Sequence, residues 1–148
     1  MPDEKLFNLE QAEKLLPTLE FLLGQAIEAK KKTDELDRVF EQVRNRILIY
    51  GGIVPPYGEL SQKKVEHDNA ASSFKDTVAR IEAQGCVIKD LDVGLIDFPA
   101  VIDEQQVYLC WKLGEERIRY WHHMDEGFAG RKPLEFGSGE EPQRPKPN

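Results

Sequence analysis

The chain opens with an apolar stripe longer than the helix after it can cover, and this inequality constrains the fold more than any other feature. Asn8, with Gln11 three residues on, fits a capping box, and Phe7 is placed as an apolar staple against Ala12. Apolar residues then recur at helical spacing through Ala12, Leu16, Leu19, Leu23 and Ala26, and again through Leu36, Phe40, Val43, Ile47 and Tyr50. Between Ala26 and Leu36 the stripe weakens and slips in phase, which predicts unwinding, a bend or fraying there. Pro17 predicts a kink or a fresh helix start. Gly51-Gly52 and Pro55-Pro56 end this helix, and a second runs from about Glu59 to Gln84 before Gly85. At ~1.5 Å per residue the two span roughly 63 Å and 39 Å. Paired antiparallel from the Gly-Gly turn, the second reaches back only to about residue 24. Leu15, Leu16, Leu19, Leu22 and Leu23 are left for the rest of the chain, or a second copy of it, to bury.

The remainder reads as short strands. Cys86–Ile88, Gly94–Phe98, Gln106–Lys112 and Arg117–His122 are separated by turns at Asp90-Leu91-Asp92, Asp103-Glu104 and Leu113–Glu116. Pro99 predicts that the second strand is an edge or stops there. A four-residue loop in the last hairpin sets Lys112 opposite Arg117, Trp111 opposite Ile118, Leu109 opposite Tyr120 and Val107 opposite His122. His122 then lies on a core face with Val107, Leu109, Trp111, Ile118 and Tyr120. Tyr108, Cys110, Lys112, Arg117, Arg119 and Trp121 form an amphipathic second face. A slip of one residue exchanges these partners. The fold class expected is α+β: a long antiparallel helical hairpin, then a small antiparallel three- or four-stranded β-meander. It forms one domain over residues 1–136, with a polar, disordered tail at 137–148.

A net charge of −7 on 148 residues argues against a nucleic-acid or anionic-membrane partner. No stretch is apolar for long enough to span a bilayer, and Met1–Lys5 has no secretory pattern, so a cytoplasmic location is expected. Cys86 and Cys110 lack metal-knuckle or redox spacing and sit in apolar runs, as buried free thiols do.

Three groupings carry chemistry. His122, with Asp125 and Glu126 three and four residues on and Asp97 as a further ligand, offers nitrogen and oxygen donors to zinc, manganese or iron. The plainer alternative is a core histidine hydrogen-bonded to Asp97. Gly127-Phe128-Ala129-Gly130-Arg131 suggests a small-anion site using Arg131 with Arg119 and Glu115. Its alternative is that Arg131 pairs with Glu115 or Asp97 and pins the chain. Tyr108, Cys110 and Trp121 are candidates for an interface between two copies, or for burial under the chain's own segment 124–134.

Several longer stretches stand out: Val87-Ile88-Lys89-Asp90-Leu91, Gly94–Pro99, Leu109–Glu115, Trp121-His122, Gly127–Arg131, and the opening Phe7–Ala12 with Leu15-Leu16-Pro17. Together, over about residues 7–134, they resemble an uncharacterised bacterial family catalogued as domain of unknown function 2203. The resemblance implies no activity and no site residue. The leading expectation is a structural or protein-interaction module that self-associates as a homodimer. A metal-binding protein or metal-dependent enzyme centred on His122, and an anion binder using Arg131, are the alternatives.

Overall fold

The structure is a computed structural model and describes residues 5–51, 57–136, 142 and 143. It contains two helices followed by antiparallel strands, as an α+β chain with a helical hairpin and a meander. The chain divides into two compact units, one of residues 1–23 with 80–148 and the other of residues 24–79. None of the described helices is long and apolar enough to cross a membrane.

Helix α1 (Leu9–Tyr50) starts on the expected capping box. The Asn8 N–H donates to Gln11 Oε1 at 3.0 Å, and the Gln11 N–H donates to Asn8 Oδ1 at 2.7 Å. The helix continues unbroken past Pro17 and through 26–36, so neither a fresh start nor unwinding occurs. Leu16 and Leu19 flank Pro17 and are buried, and their packing offsets the ~3 kcal/mol that an interior proline costs. Thr33 Oγ1 donates back to the Ala29 carbonyl at 2.8 Å, which leaves the hydroxyl satisfied inside the helix. Gly51, at φ 66°, ends the helix in the left-handed conformation, its N–H on the Ile47 carbonyl. The Pro55-Pro56 stop lies outside the described residues. Helix α2 (Tyr57–Ala83) begins two residues earlier than expected and ends just before Gly85.

In the first unit the helical overhang meets a sheet of the same chain. Strands β1 (Val87–Asp90), β2 (Leu95–Ile102), β3 (Gln105–Lys112), β4 (Tyr120–His123) and β5 (Lys132–Pro133) lie in sequential antiparallel order. Ala12, Leu16, Leu19, Leu22 and Leu23 form one cluster with Ile81 and the sheet residues Ile96, Phe98, Val107, Leu109 and Trp111. The leucines are therefore sheltered by strands and need no twin molecule. Two further strands, β6 (Glu135–Phe136) and β7 (Pro142–Gln143), pair with each other. The rest of the expected tail, residues 137–148, lies outside the described residues.

Pro99 does not end β2. Its carbonyl accepts the Phe7 N–H at 2.7 Å on the strand's outer side. A residue's N–H and C=O point the same way, so the missing proline N–H faces away from β3 and no rung is lost. At the other end of the β2–β3 hairpin, Asp103 and Glu104 take φ 52° and 64°, the doubly left-handed conformation of a two-residue turn. Gly94, at φ 73°, admits no side chain, because a Cβ there would lie 2.5 Å from that of Leu113.

The expected register of the last hairpin is wrong by one residue. Val107 faces His123, Tyr108 faces His122, Leu109 faces Trp121 and Cys110 faces Tyr120. Two carboxylates take backbone amides where this connection leaves and rejoins the strands. Glu115 Oε1 accepts the Lys112 N–H at 2.8 Å, and Glu13 Oε2, from α1, accepts the Ile118 N–H at 3.0 Å and Arg117 Nε at 3.3 Å. The connection lengthens to 113–119. Trp121 moves to the core face opposite Leu109, and His122 moves to the other face, opposite Tyr108.

In the second unit, 24–79, α1 and α2 form the expected antiparallel pair. His67 bridges them: Nε2 lies 2.7 Å from Asp37 Oδ1, and Nδ1 lies 3.2 Å from Asp68 Oδ1. The ring also packs edge-on against Phe40. The hydrogen bond to Asp68, with that to Asp37, holds the imidazole pKa above its ordinary value, against opposition from partial burial.

Two outcomes follow from this packing. Leu19→Ala should destabilise the fold by ~2–5 kcal/mol, measured by denaturant unfolding, because Leu19 is fully buried in the cluster that joins the helix to the sheet. The His67 contribution should be fully present below about pH 6.5 and fade as pH rises through the raised folded-state pKa. Thermal unfolding of wild type and His67→Gln across that range should converge toward alkaline pH. A constant difference would refute the assignment.

Candidate metal centre

The register that relocates His122 assembles a site. Asp97 and Cys110 are directly opposed across β2 and β3, and His122 lies on β4, one strand further on and facing the same way. A carboxylate oxygen of Asp97, Cys110 Sγ and a ring nitrogen of His122 lie within 4.8 Å of one another. All three side chains are buried, at 1%, 0% and 1% exposure.

The proton inventory of this cluster is restrictive. His122 Nδ1 is 2.8 Å from the His123 carbonyl oxygen, which only accepts, so Nδ1 carries hydrogen. Nε2 is thereby aimed at Asp97 Oδ2, 2.8 Å away. Asp97 Oδ1, also buried, has no hydrogen-bond partner of ordinary geometry. Burial drives the Asp97 carboxyl pKa up, with the charge of His122 and its hydrogen bond opposing. Burial, with the charge of Asp97 second, pushes the Cys110 thiol up to about 12. A thiol in that state is not a nucleophile near neutral pH.

The second face is roofed by the chain itself. Arg131 stacks between Tyr120 and Phe128, its guanidinium carbon 3.9 Å and 4.2 Å from their ring centres. Its nitrogens make a two-point pair with Glu115 at 3.2 Å and 2.9 Å. Arg131 Nη1 also approaches Cys110 Sγ at 4.0 Å. Lys89 lies over the Tyr108 ring at 4.8 Å, and that ring tilts against the His122 imidazole.

Of the metal ligands expected from sequence, the structure joins Asp97 and His122 but not the other two. Asp125 is exposed in the turn after β4. Glu126 folds back to accept the His123 N–H at 3.0 Å and pairs with Lys132 at 2.6 Å, which holds its carboxylate below the usual range. The expected helical turn does not form at His122, because that residue is in a strand, where spacings of three and four do not share a face. The anion site is filled by the chain's own Glu115, the pinning alternative. Arg119 is exposed and contributes only its carbonyl, to the Leu134 N–H. Tyr108, Cys110 and Trp121 are 9%, 0% and 4% exposed within a single chain, so they do not form an open interface. Cys110 is instead the third member of the cluster, a place that the sequence reading did not give it. The signal was present: a two-residue turn at Asp103-Glu104 sets Cys110 opposite Asp97.

Native Cys86 and Cys110 should both resist a thiol reagent at neutral pH in the presence of chelator, and both should react once the chain is unfolded. Burial also raises Cys86, to about 11. Rapid reaction of one native equivalent, read by absorbance, would contradict the site chemistry.

Residues 5–134 match the family model described as "Uncharacterized conserved protein (DUF2203)". No curated protein and no solved structure matches the chain.

Proposed function

Because the chain belongs to the DUF2203 family, whose description names no activity, we propose a function from the site: Asp97, Cys110 and His122 bind one transition-metal ion, of zinc type, that ties β2, β3 and β4 together. The orphaned Asp97 Oδ1 carries this reading, because it is a buried acceptor without a hydrogen bond of ordinary geometry, to which the cluster offers only the weak Cys110 thiol donor. His122 supports it. A ligating histidine commonly donates its other ring N–H to a carbonyl, as Nδ1 does to His123.

Charge favours the same state. A divalent ion with one thiolate, one carboxylate and a neutral imidazole has no net charge, so its burial avoids the penalty that a lone ion meets. One Asp97 oxygen, Sγ and Nε2 provide three ligand atoms. Ligand atoms on zinc are roughly 3.3–3.8 Å apart, so the 2.8 Å Asp97–His122 pair would open to admit the ion. Full burial of all three ligands supports a closed, structural role for the ion over turnover at it. The protein is then a structural or interaction module, and its free buried thiols suit the reducing cytoplasm.

Protein purified after growth with added zinc should contain about one equivalent of metal by elemental analysis. Asp97→Asn, Cys110→Ser and His122→Ala should each lose it. Cobalt added to the metal-free wild type should give a thiolate-to-metal absorption band, a readout that needs no variant to fold. Binding must displace the Cys110 proton, so affinity should rise with pH. Wild type that holds no metal and gains neither the band nor thermal stability from zinc or cobalt would overturn the proposal, and Asp97–His122 would then be a buried hydrogen-bonded pair.

A further inference from the structure

Asp97, Cys110 and His122 are almost completely buried, so an ion reaches them only if part of their surround opens. On the opposite face of the sheet the leucines of α1 close the way. The route therefore crosses the polar face, which has two covers. One is Lys89 on β1, a strand paired with β2, whose ammonium lies 4.8 Å over the Tyr108 ring. The other is the link from β4 to β5, residues 124–131, which carries Phe128 and Arg131. Lys89 shields Tyr108, whereas Arg131 lies against a member of the cluster itself, at Cys110 Sγ.

The link is also weakly anchored. No residue from His123 to Pro133 is buried. Its described backbone bonds are local: the N–H groups of Glu126, Gly130 and Arg131 donate to the carbonyls of His123, Gly127 and Phe128 at 3.0, 3.0 and 3.2 Å. Lys132 Nζ donates to Glu126 and to the Gly130 carbonyl, within the same stretch of chain. Arg131 reaches across to the sheet, through its two-point pair with Glu115 and its stack on Tyr120. Lys112 Nζ adds a looser contact, 5.7 Å from the Phe128 ring centre. A segment with few buried contacts opens at lower cost than strands packed on both faces. Arg131 and Glu115 are 14% and 22% exposed, so water can take over their bonds as they part.

We propose that residues 124–131 form a strap over the Asp97, Cys110 and His122 cluster, latched by Arg131 on Glu115, and that a divalent transition-metal ion enters and leaves where this latch parts. The ion's part rests on the metal reading above, whereas the strap is tested without it.

Metal-free protein in chelator tests the strap. A thiol reagent, followed by mass spectrometry of the two cysteine peptides, should label Cys110 at least tenfold faster in Arg131→Ala than in wild type. Cys86, packed in the leucine cluster, should label no faster. Loss of a nearby cation disfavours a thiolate, so the substitution without opening would slow Cys110 instead. Lys89→Ala should leave Cys110 at the wild-type rate. Hydrogen exchange of the wild type, which needs no variant to fold, should run faster at the bonded amides of Gly130 and Arg131 than over 107–111. Unchanged or slower Cys110 labelling, Cys86 labelling that rises in step, an equal effect of Lys89→Ala, or protection of Gly130 and Arg131 equal to that of β3 would each overturn the strap.

Cobalt tests the ion's part. Its thiolate band should grow in at least tenfold faster in Arg131→Ala, because a site that was merely weakened would release metal sooner but not load sooner. Faster labelling of Cys110 with cobalt loading at the wild-type rate would overturn the entry route. Faster labelling in a protein whose wild type binds no metal would uphold the strap and end the metal reading.

Discussion

The alignment of β4 on β3 is the constraint on which the rest of the first unit depends. It is fixed by two carboxylates rather than by the strands themselves. Glu13 on α1 and Glu115 in the connection take backbone N–H groups at Ile118 and Lys112, and the returning strand starts at Tyr120 instead of Arg117. Charge-assisted bonds of this kind are about twice as strong as neutral ones. One residue of slip would send His122 into the leucine-lined face and Trp121 to the polar side. The cluster with Asp97 and Cys110 exists only in the observed alignment.

That alignment also explains why both faces of the sheet are buried. Residues 95–100 of β2 and 107–111 of β3 are buried consecutively, without the alternation of a half-exposed strand. One face packs on the helix. The other is covered by Arg131, Phe128 and Lys89, whose stems and planes lie across Tyr120, Cys110 and Tyr108. Cations over rings and a two-point carboxylate pair close the roof, and the polar trio beneath is sealed from water. Sealing raises the cost of any unsatisfied group there, and Asp97 Oδ1 is one.

Much of the architecture was legible in the residues. The capping box at Asn8 and Gln11, the stop at Gly51 and the unequal helix lengths are local signals with local causes. The boundary between the compact units, after Leu23, falls where the length arithmetic runs out of second helix. The turn at Asp103-Glu104 was read correctly and already implied that Asp97 faces Cys110. The last hairpin was not legible, because its loop length is set by Glu13, more than a hundred residues earlier in the chain. For the same reason Asp125 and Glu126, grouped with His122 on helical spacing, do not join the site. Only a partner distant in sequence could reveal that His122 lies in a strand turned toward Asp97.

The contact between Phe7 and the outer side of β2 has a consequence for solubility. Outer strands invite other chains to extend a sheet, and natural proteins blunt them. Here β1 lines β2 along Leu95–Asp97, the Phe7 amide occupies the Pro99 carbonyl, and proline itself has nothing to donate at that rung. At the opposite margin the final strand is two residues long and includes Pro133. Among the described residues, the two margins of this sheet are short, four residues in β1 and two in β5, so it offers a neighbouring chain little template on which to nucleate fibrous stacking.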